Sequence, residues 1–309
     1  MEKIKRFFKK MKGERKFSVL YLILGVVLAV YAVSFLLMLA WAVSTSFKDP
    51  VMDYSNGNTI WLPRLSVWEN GIKDIFNNYK EVLTDGFKVN SNKFDSGYAY
   101  FVDMLFVSFA YGVGNALVQV TVTFIVAYAA ARFKFIIGEI IYTIVIVGMI
   151  LPIVGSQPSA IALARALNLN DSILGMYVHK FTFLGMYFLV FHATLKAYPK
   201  DFDEAAQIDG ASNLSVMLRV IWPLNSTTYF TVLLLVFVAQ WNDYSTPMLF
   251  MPNLPTLAYG LRSVETNGGM SGVPARMAAC FLAALPTLTL FVIFHDRLMT
   301  NISLGGVKE

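Results

Sequence analysis

Apolar residues gather in six long runs, at roughly 18–46, 100–131, 137–163, 173–196, 225–250 and 275–298, each near the about 20 residues a helix needs to cross a hydrocarbon layer. Backbone groups in lipid must be bonded within their own segment, so each run is expected to be a helix or not to cross. The ten-residue alternation that marks outer-membrane strands is absent. The pattern predicts an all-α, polytopic membrane protein with six transmembrane helices. Around the runs it sets a segment 1–16, a first helix 17–46, a loop 47–99, a core 100–298 with five helices and a polar loop at 197–224, and a tail 299–309.

Composition agrees: 56% hydrophobic residues and 15% charged ones exclude a water-soluble core. Charge then orients the chain. Lys3, Lys5, Arg6, Lys9, Lys10, Lys12, Arg15 and Lys16 directly precede the first run, a bias that keeps this end cytoplasmic. Six crossings place 197–224 and the tail on the same side, with Lys196, Lys200, Arg219, Arg297 and Lys308, whereas the 47–99 loop is external and roughly neutral. Ala40-Trp41-Ala42 resembles a leader cleavage site, but the apolar run is longer than a leader's about 7–15 residues. No aromatic-rich nucleic-acid module accompanies the basic cluster, so membrane lipid is its expected contact and nucleic acid is not. The single cysteine, Cys280, allows no intrachain disulfide.

The 197–224 loop has its own grammar. Pro199 ends the preceding helix and pushes Tyr198 to extended geometry. Asp201, three residues before Glu204, suggests a helix start with Asp201 as the cap, and Gly210 suggests its end. Helical spacing puts Phe202, Ala205, Ala206 and Asp209 on one side, where small residues permit close approach and Phe202 offers an anchor. A second helix is expected from about Asn213 to Val220, with Pro223 turning the chain into the fifth run. On spacing alone, an ordinary amphipathic connector fits equally well.

Glu204-Ala205-Ala206, Gly210, Val220 or Ile221, and Pro223 resemble the EAA motif of ABC importer permeases, with Trp222 where leucine is usual. Ala127–Phe135, Leu151-Pro152, Leu167–Asp171, Gln240–Tyr244 and the Leu304–Lys308 tail are similar to the carbohydrate branch, in particular to the second maltose-type permease. The resemblance implies the type I permease fold in a prokaryotic cell membrane, with both termini cytoplasmic. Implied partners are a second homologous permease, a cytoplasmic ABC ATPase dimer, an extracellular or periplasmic solute-binding protein and a carbohydrate, in that branch an oligosaccharide. It also implies that Phe202, Glu204, Ala205, Ala206, Asp209, Gly210 and Pro223 couple to the ATPase. Another solute, such as an amino acid, osmolyte or glycerol phosphate, is the alternative cargo, and a non-transport membrane scaffold the alternative class.

Polar residues inside apolar runs are the candidate substrate path. Gln240, Trp241, Asn242, Asp243 and Tyr244 offer amides, a carboxylate and aromatic faces suited to sugars, or else mark the outer end of a helix. Asn115 and Gln119 share a helical face and either line the path or bond a neighbouring helix. Lys180 reads as snorkelling, and Pro152, Pro158 and Pro286 as helix bends. Asn267, Gly268, Gly269 and Met270 lie in a loop that the resemblance assigns to contact with the binding protein. No phosphate loop, nucleophile or metal spacing is found, so the chain is expected not to be an enzyme and to hold no cofactor, with ATP and Mg on the partner ATPase.

Overall fold

The computed structural model describes residues 19–302 apart from 65, 67–70, 85, 134–135, 152–154, 268–269 and 271. The N-terminal basic cluster, Pro152, Gly268, Gly269 and the 303–309 end lie outside the described residues. The chain forms two compact units, one of Met1–Tyr79 with Ser271–Ala278 and one of Lys80–Met270 with Ala279–Glu309.

In the first unit α1 (Val19–Ser46) is apolar around its whole circumference, which no single packed face could satisfy and which suits lipid. Its residues from Tyr21 to Trp41 are exposed, and burial begins only at the last turn, where Thr45 and Ser46 are covered. The cover is the beginning of the 47–99 loop, which folds on polar contacts. The Asp49 carboxylate accepts from the N–H groups of Val51 and Met52 and starts a π-helical turn, Pro50–Tyr54. Buried Asp53 accepts from Asn58 Nδ2 at 2.6 Å and from the Arg64 N–H at 3.0 Å. Asn78 Nδ2 donates to both the Ser46 and Lys48 carbonyls, at 2.8 Å each. Lys48 donates to the Thr59 carbonyl; burial pushes its ammonium below the ordinary lysine range, against the opposing pull of Asp53.

A 3₁₀ turn (Gly71–Phe76) leads into α2 (Asn77–Leu83). In the second unit an antiparallel hairpin, β1 (Lys88–Asn90) and β2 (Tyr98–Tyr100), pairs Val89 with Ala99. It feeds α3 (Phe101–Arg132), whose 32 residues span about 48 Å. There follow α4 (Ile136–Ile150), α5 (Gln157–Ala166), α6 (Ile173–His179), α7 (Met186–Ala197), α8 (Asp201–Ile208) and α9 (Asn213–Val216). A π-helical turn (Met217–Ile221) joins α9 to α10 (Trp222–Trp241), before α11 (Ser245–Phe250), α12 (Leu257–Asn267) and α13 (Val273–Ile302). The core is the seam of α3 with α7 and α10. Phe124 meets Phe191 and Tyr229 edge-on, with ring centroids 5.4 and 5.8 Å apart, the geometry that aromatic quadrupoles favour.

Among the described residues four helical stretches are long and apolar enough to cross a membrane: Tyr21–Ser46, Phe101–Arg132, Asn213–Trp241 and Val273–Phe294. Of the six expected helices, the third and fourth runs are each interrupted. The third splits into α4 and α5 around Gly155, which has φ of 82°, and Pro158 sits in the first turn of α5, where its missing N–H costs nothing, so it starts a helix where a bend was expected. The fourth splits into α6 and α7, with Gly185 at φ 141°. The fifth ends at Trp241, and α11 follows a three-residue turn.

Polar groups along α3 bond to the segments packed against it. Ser108 Oγ accepts from the Leu257 N–H at 2.7 Å, and Thr123 Oγ1, which donates to the Gln119 carbonyl at 2.7 Å, also lies 3.3 Å from the Thr182 carbonyl. The Ala110 carbonyl accepts from Tyr177 Oη at 2.8 Å. Close approach of α6 to α3 depends on Gly114, where an added Cβ would overlap the Tyr177 ring. Gly114→Ala is thus expected to lose about 1–3 kcal/mol by overpacking, read as a lower midpoint in detergent thermal unfolding; an unchanged midpoint would show that the ring relocates freely.

Candidate functional site

Two constellations can be built from the residues upward: the polar elbow between α7 and α10, and the polar face of α3 with the turn after α10.

The elbow begins as expected. Tyr198 before Pro199 is extended, at φ −74° and ψ 135°. The cap differs: Lys200 occupies the N-cap without a side-chain bond, and Asp201 lies inside the first turn with Asp203 and Glu204. Three carboxylates there complement the positive end of the helix dipole, so charge takes the place of the expected Asp201 cap. At the other end Gly210 N–H donates to the Gln207 carbonyl at 3.0 Å and Ala211 N–H to that of Ala206 at 2.9 Å. This is the Schellman closure, with Gly210 at φ 84° in its left-handed position.

Ser212 caps α9 through the Ser215 N–H, and Gln207 Nε2 donates to Asn213 Oδ1, tying the two helices. The second helix does not stop before Pro223, as was expected. It runs through the π turn into α10, so 213–241 is one helical stretch. The Trp222 N–H bonds to the Met217 carbonyl five residues back, and that register shift lets Pro223 enter in the first turn of α10, where no N–H is missed.

The roll of α8 is set by an interaction that spacing did not reveal. Arg132, the last residue of α3, is buried, and its Nε donates to Asp203 Oδ2 at 2.7 Å. Its Nη1 donates to the carbonyls of Leu195 and Tyr198, and its Nη2 to that of Pro199. A planar fork of donors thus holds the end of α7 and the start of α8 together. In consequence Asp203 and Ala206 turn inward, while Phe202, Glu204, Ala205 and Asp209 are exposed. The expected face is corrected at Ala206, and it gains Ile208, 85% exposed beside Phe202 at 44%. The missed residues had one signal: Arg132 is the only cation in a run of 32 otherwise uncharged or acidic residues.

The second constellation is partly dispersed. Asn115 and Gln119 do share a face of α3, and Gln240 Nε2 lies 3.4 Å from Gln119 Oε1. Asn115 is fully buried with neither amide atom bonded among the described residues. Trp241 is buried and donates Nε1–H to the Ala283 carbonyl at 3.0 Å, so it packs where it was expected to face a cavity. Asn242 bonds back to the Val238 carbonyl, and Tyr244 is exposed beneath the Arg262 guanidinium, 5.8 Å from its ring centre. Asp243 is the hub of the turn: it accepts from Tyr111 Oη at 3.0 Å and from the Thr246 N–H at 3.0 Å, with Lys180 Nζ 3.9 Å away. Lys180 accordingly turns to a carboxylate, a correction to the snorkelling reading. Asn267 ends α12 and Met270 is half-buried. The described residues hold no group of His, Cys, Asp and Glu disposed around a metal.

Long apolar helices and an exposed elbow anchored to one of them by Arg132 mark a polytopic helical membrane protein. Residues 104–303 match the family model described as binding-protein-dependent transport system inner membrane component, and the chain belongs to that family. It is 27% identical over 207 residues to the sulfoquinovosyl glycerol transport system permease protein SmoH of Agrobacterium fabrum, covering 66% of this chain and 72% of the relative. It is 26% identical over 198 residues to the trehalose/maltose transport system permease protein MalG of Thermococcus litoralis, covering 62% and 70%. In fold it is similar to a chain of a bacterial ABC transporter involved in the import of the acidic polysaccharide alginate, with a TM-score of 0.67 at 20% identity over 92% of this chain and 98% of that one.

Proposed function

We propose that this chain is a permease subunit of an ATP-driven importer of a carbohydrate, pairing with a second, homologous permease in a prokaryotic cell membrane. A solute-binding protein delivers the cargo, and a cytoplasmic ATPase dimer, which carries ATP and Mg, drives the cycle through residues 201–223. The observation that carries the reading is the elbow: an exposed helix, closed by Gly210 and locked by Arg132 to the end of a spanning helix. A push on α8 therefore passes into α3 and, through the unbroken 213–241 stretch, into α10. ATP-driven closure of the ATPase pair then shifts the permease between two packings.

Phe202 and Ile208 supply the apolar contact, Ala205 the close approach, and Glu204 and Asp209 the polar rim. Along the membrane an apolar groove lined by Phe109, Val113, Leu117, Phe230, Phe237 and Leu290 suits packing against the second permease or lipid. The carbohydrate assignment is supported by the names of the relatives and by the neutral amides on the α3–α10 seam, which suit hydroxyl groups. Gln119 is the half-buried member of that group. Gln119→Ala is expected to raise the KM for uptake roughly tenfold, the loss of about one hydrogen bond, with assembly intact; an unchanged KM removes it from the path.

The reading as a whole is tested by reconstituting the chain with its co-purifying subunits and measuring ATP-dependent uptake of labelled sugars, glycerol phosphate and amino acids. Saturable uptake of a sugar alone is the expected result. Purification without an ATPase would overturn the importer, and uptake of another solute would overturn the cargo.

A further inference from the structure

Among its described residues, the 47–99 loop presents its most exposed large apolar residues consecutively. Ile60, Trp61 and Leu62 are 74%, 78% and 78% exposed, and they follow a residue whose position is strongly determined. The Thr59 carbonyl accepts from Trp41 Nε1 at 2.8 Å and from Lys48 Nζ at 3.1 Å. The loop then closes on itself, with Asn58 Nδ2 donating to the Leu62 carbonyl at 3.0 Å and the Arg64 N–H to Asp53 at 3.0 Å. The exposed residues therefore stand on a built platform.

The height of that platform can be read from α1. Every residue from Tyr21 to Trp41 is exposed, and protein cover begins at Ala42. Trp41 lies about 33 Å along the helix from Val19 at 1.5 Å per residue, against a hydrocarbon thickness of about 30 Å. The bond to Thr59 consequently holds residues 59–62 at the level where the apolar helix leaves the hydrocarbon. At that depth an aqueous partner meets a headgroup layer, and tryptophan with aliphatic neighbours is the composition that partitions there. The Trp41–Thr59 bond puts the tip beside the end of the exposed stretch of α1.

We infer that Ile60-Trp61-Leu62 is an interfacial anchor that inserts into the outer leaflet beside α1 and fixes the height of the external loop on the bilayer. The occupant is lipid; the choice of the outer leaflet rests on the orientation proposed above, and the inference does not depend on what the importer carries.

The test uses the full chain in its complex, reconstituted in phosphatidylcholine and phosphatidylglycerol vesicles. Leu62→Cys in a Cys280→Ser background is labelled with an environment-sensitive fluorophore. Expected are blue-shifted emission and loss of most intensity to a lipid nitroxide just below the headgroup, with little loss to aqueous iodide. Full iodide access without nitroxide quenching would overturn the anchor. So would shielding that appears only when the solute-binding protein is added, since the tip would then be a protein contact. Should the labelled variant assemble poorly, quenching of native tryptophan emission by brominated lipid, compared with Trp61→Phe, asks the same question. The quenchable fraction must fall in Trp61→Phe, and an unchanged fraction refutes insertion.

Discussion

Arg132→Ala is expected to destroy coupled transport while a folded membrane core remains. The substitution leaves the carbonyls of Leu195, Tyr198 and Pro199 and the half-buried Asp203 without the guanidinium that joins them. Removing one member of a buried charge pair costs about 3–5 kcal/mol, but here the cost falls locally, on the junction of α3, α7 and α8. The α3–α7–α10 seam is held by packed rings and should survive. Uptake in proteoliposomes should therefore fall to background, while the complex still elutes as one species and the ATPase subunits still hydrolyse ATP. Arg132→Lys separates charge from geometry: an ammonium can face Asp203 but cannot serve three further carbonyls in one plane, so partial coupling is expected. Transport per ATP equal to wild type in Arg132→Ala would show that the elbow is positioned by other contacts.

This ion pair also marks where the sequence stopped being legible. Spacing placed α8 within a residue of its observed start and found its end at Gly210, because Pro199 and Gly210 act locally. The roll of the helix was not local. Asp203 looked like one more acid in a polar helix, and only a partner 71 residues away distinguishes it from Glu204. The same difference explains the breaks. Apolar composition announces that a segment is in lipid, but the split of the fourth run between His179 and Met186 turns on Gly185, whose φ of 141° few other residues adopt. Likewise Trp241 and Asp243 stood out as polar or aromatic in an apolar context. Whether each faces a cavity or a neighbour is decided by Ala283, Tyr111 and Lys180, none of which is near them in the chain.

Gly210→Val is expected to uncouple the transporter, and the reason is backbone conformation alone. An added Cβ at Gly210 meets nothing within 4 Å, so no clash with the rest of the chain contributes. What resists the substitution is φ of 84°, which costs a β-branched residue roughly 1–3 kcal/mol. The chain can escape by unwinding the Schellman closure, which would lengthen or fray α8 and detach Gln207 from Asn213. Thrust on α8 would then bend the elbow before reaching the 213–241 stretch. Two companion variants isolate this cause. Gly210→Asn should retain most activity because asparagine tolerates the left-handed region, whereas Gly210→Ala should fall between. The order Gly, Asn, Ala, Val in transport per ATP is the signature of backbone strain. If instead loss followed side-chain size, with asparagine worse than alanine, the decisive contact would be steric, at an ATPase surface pressed against Gly210.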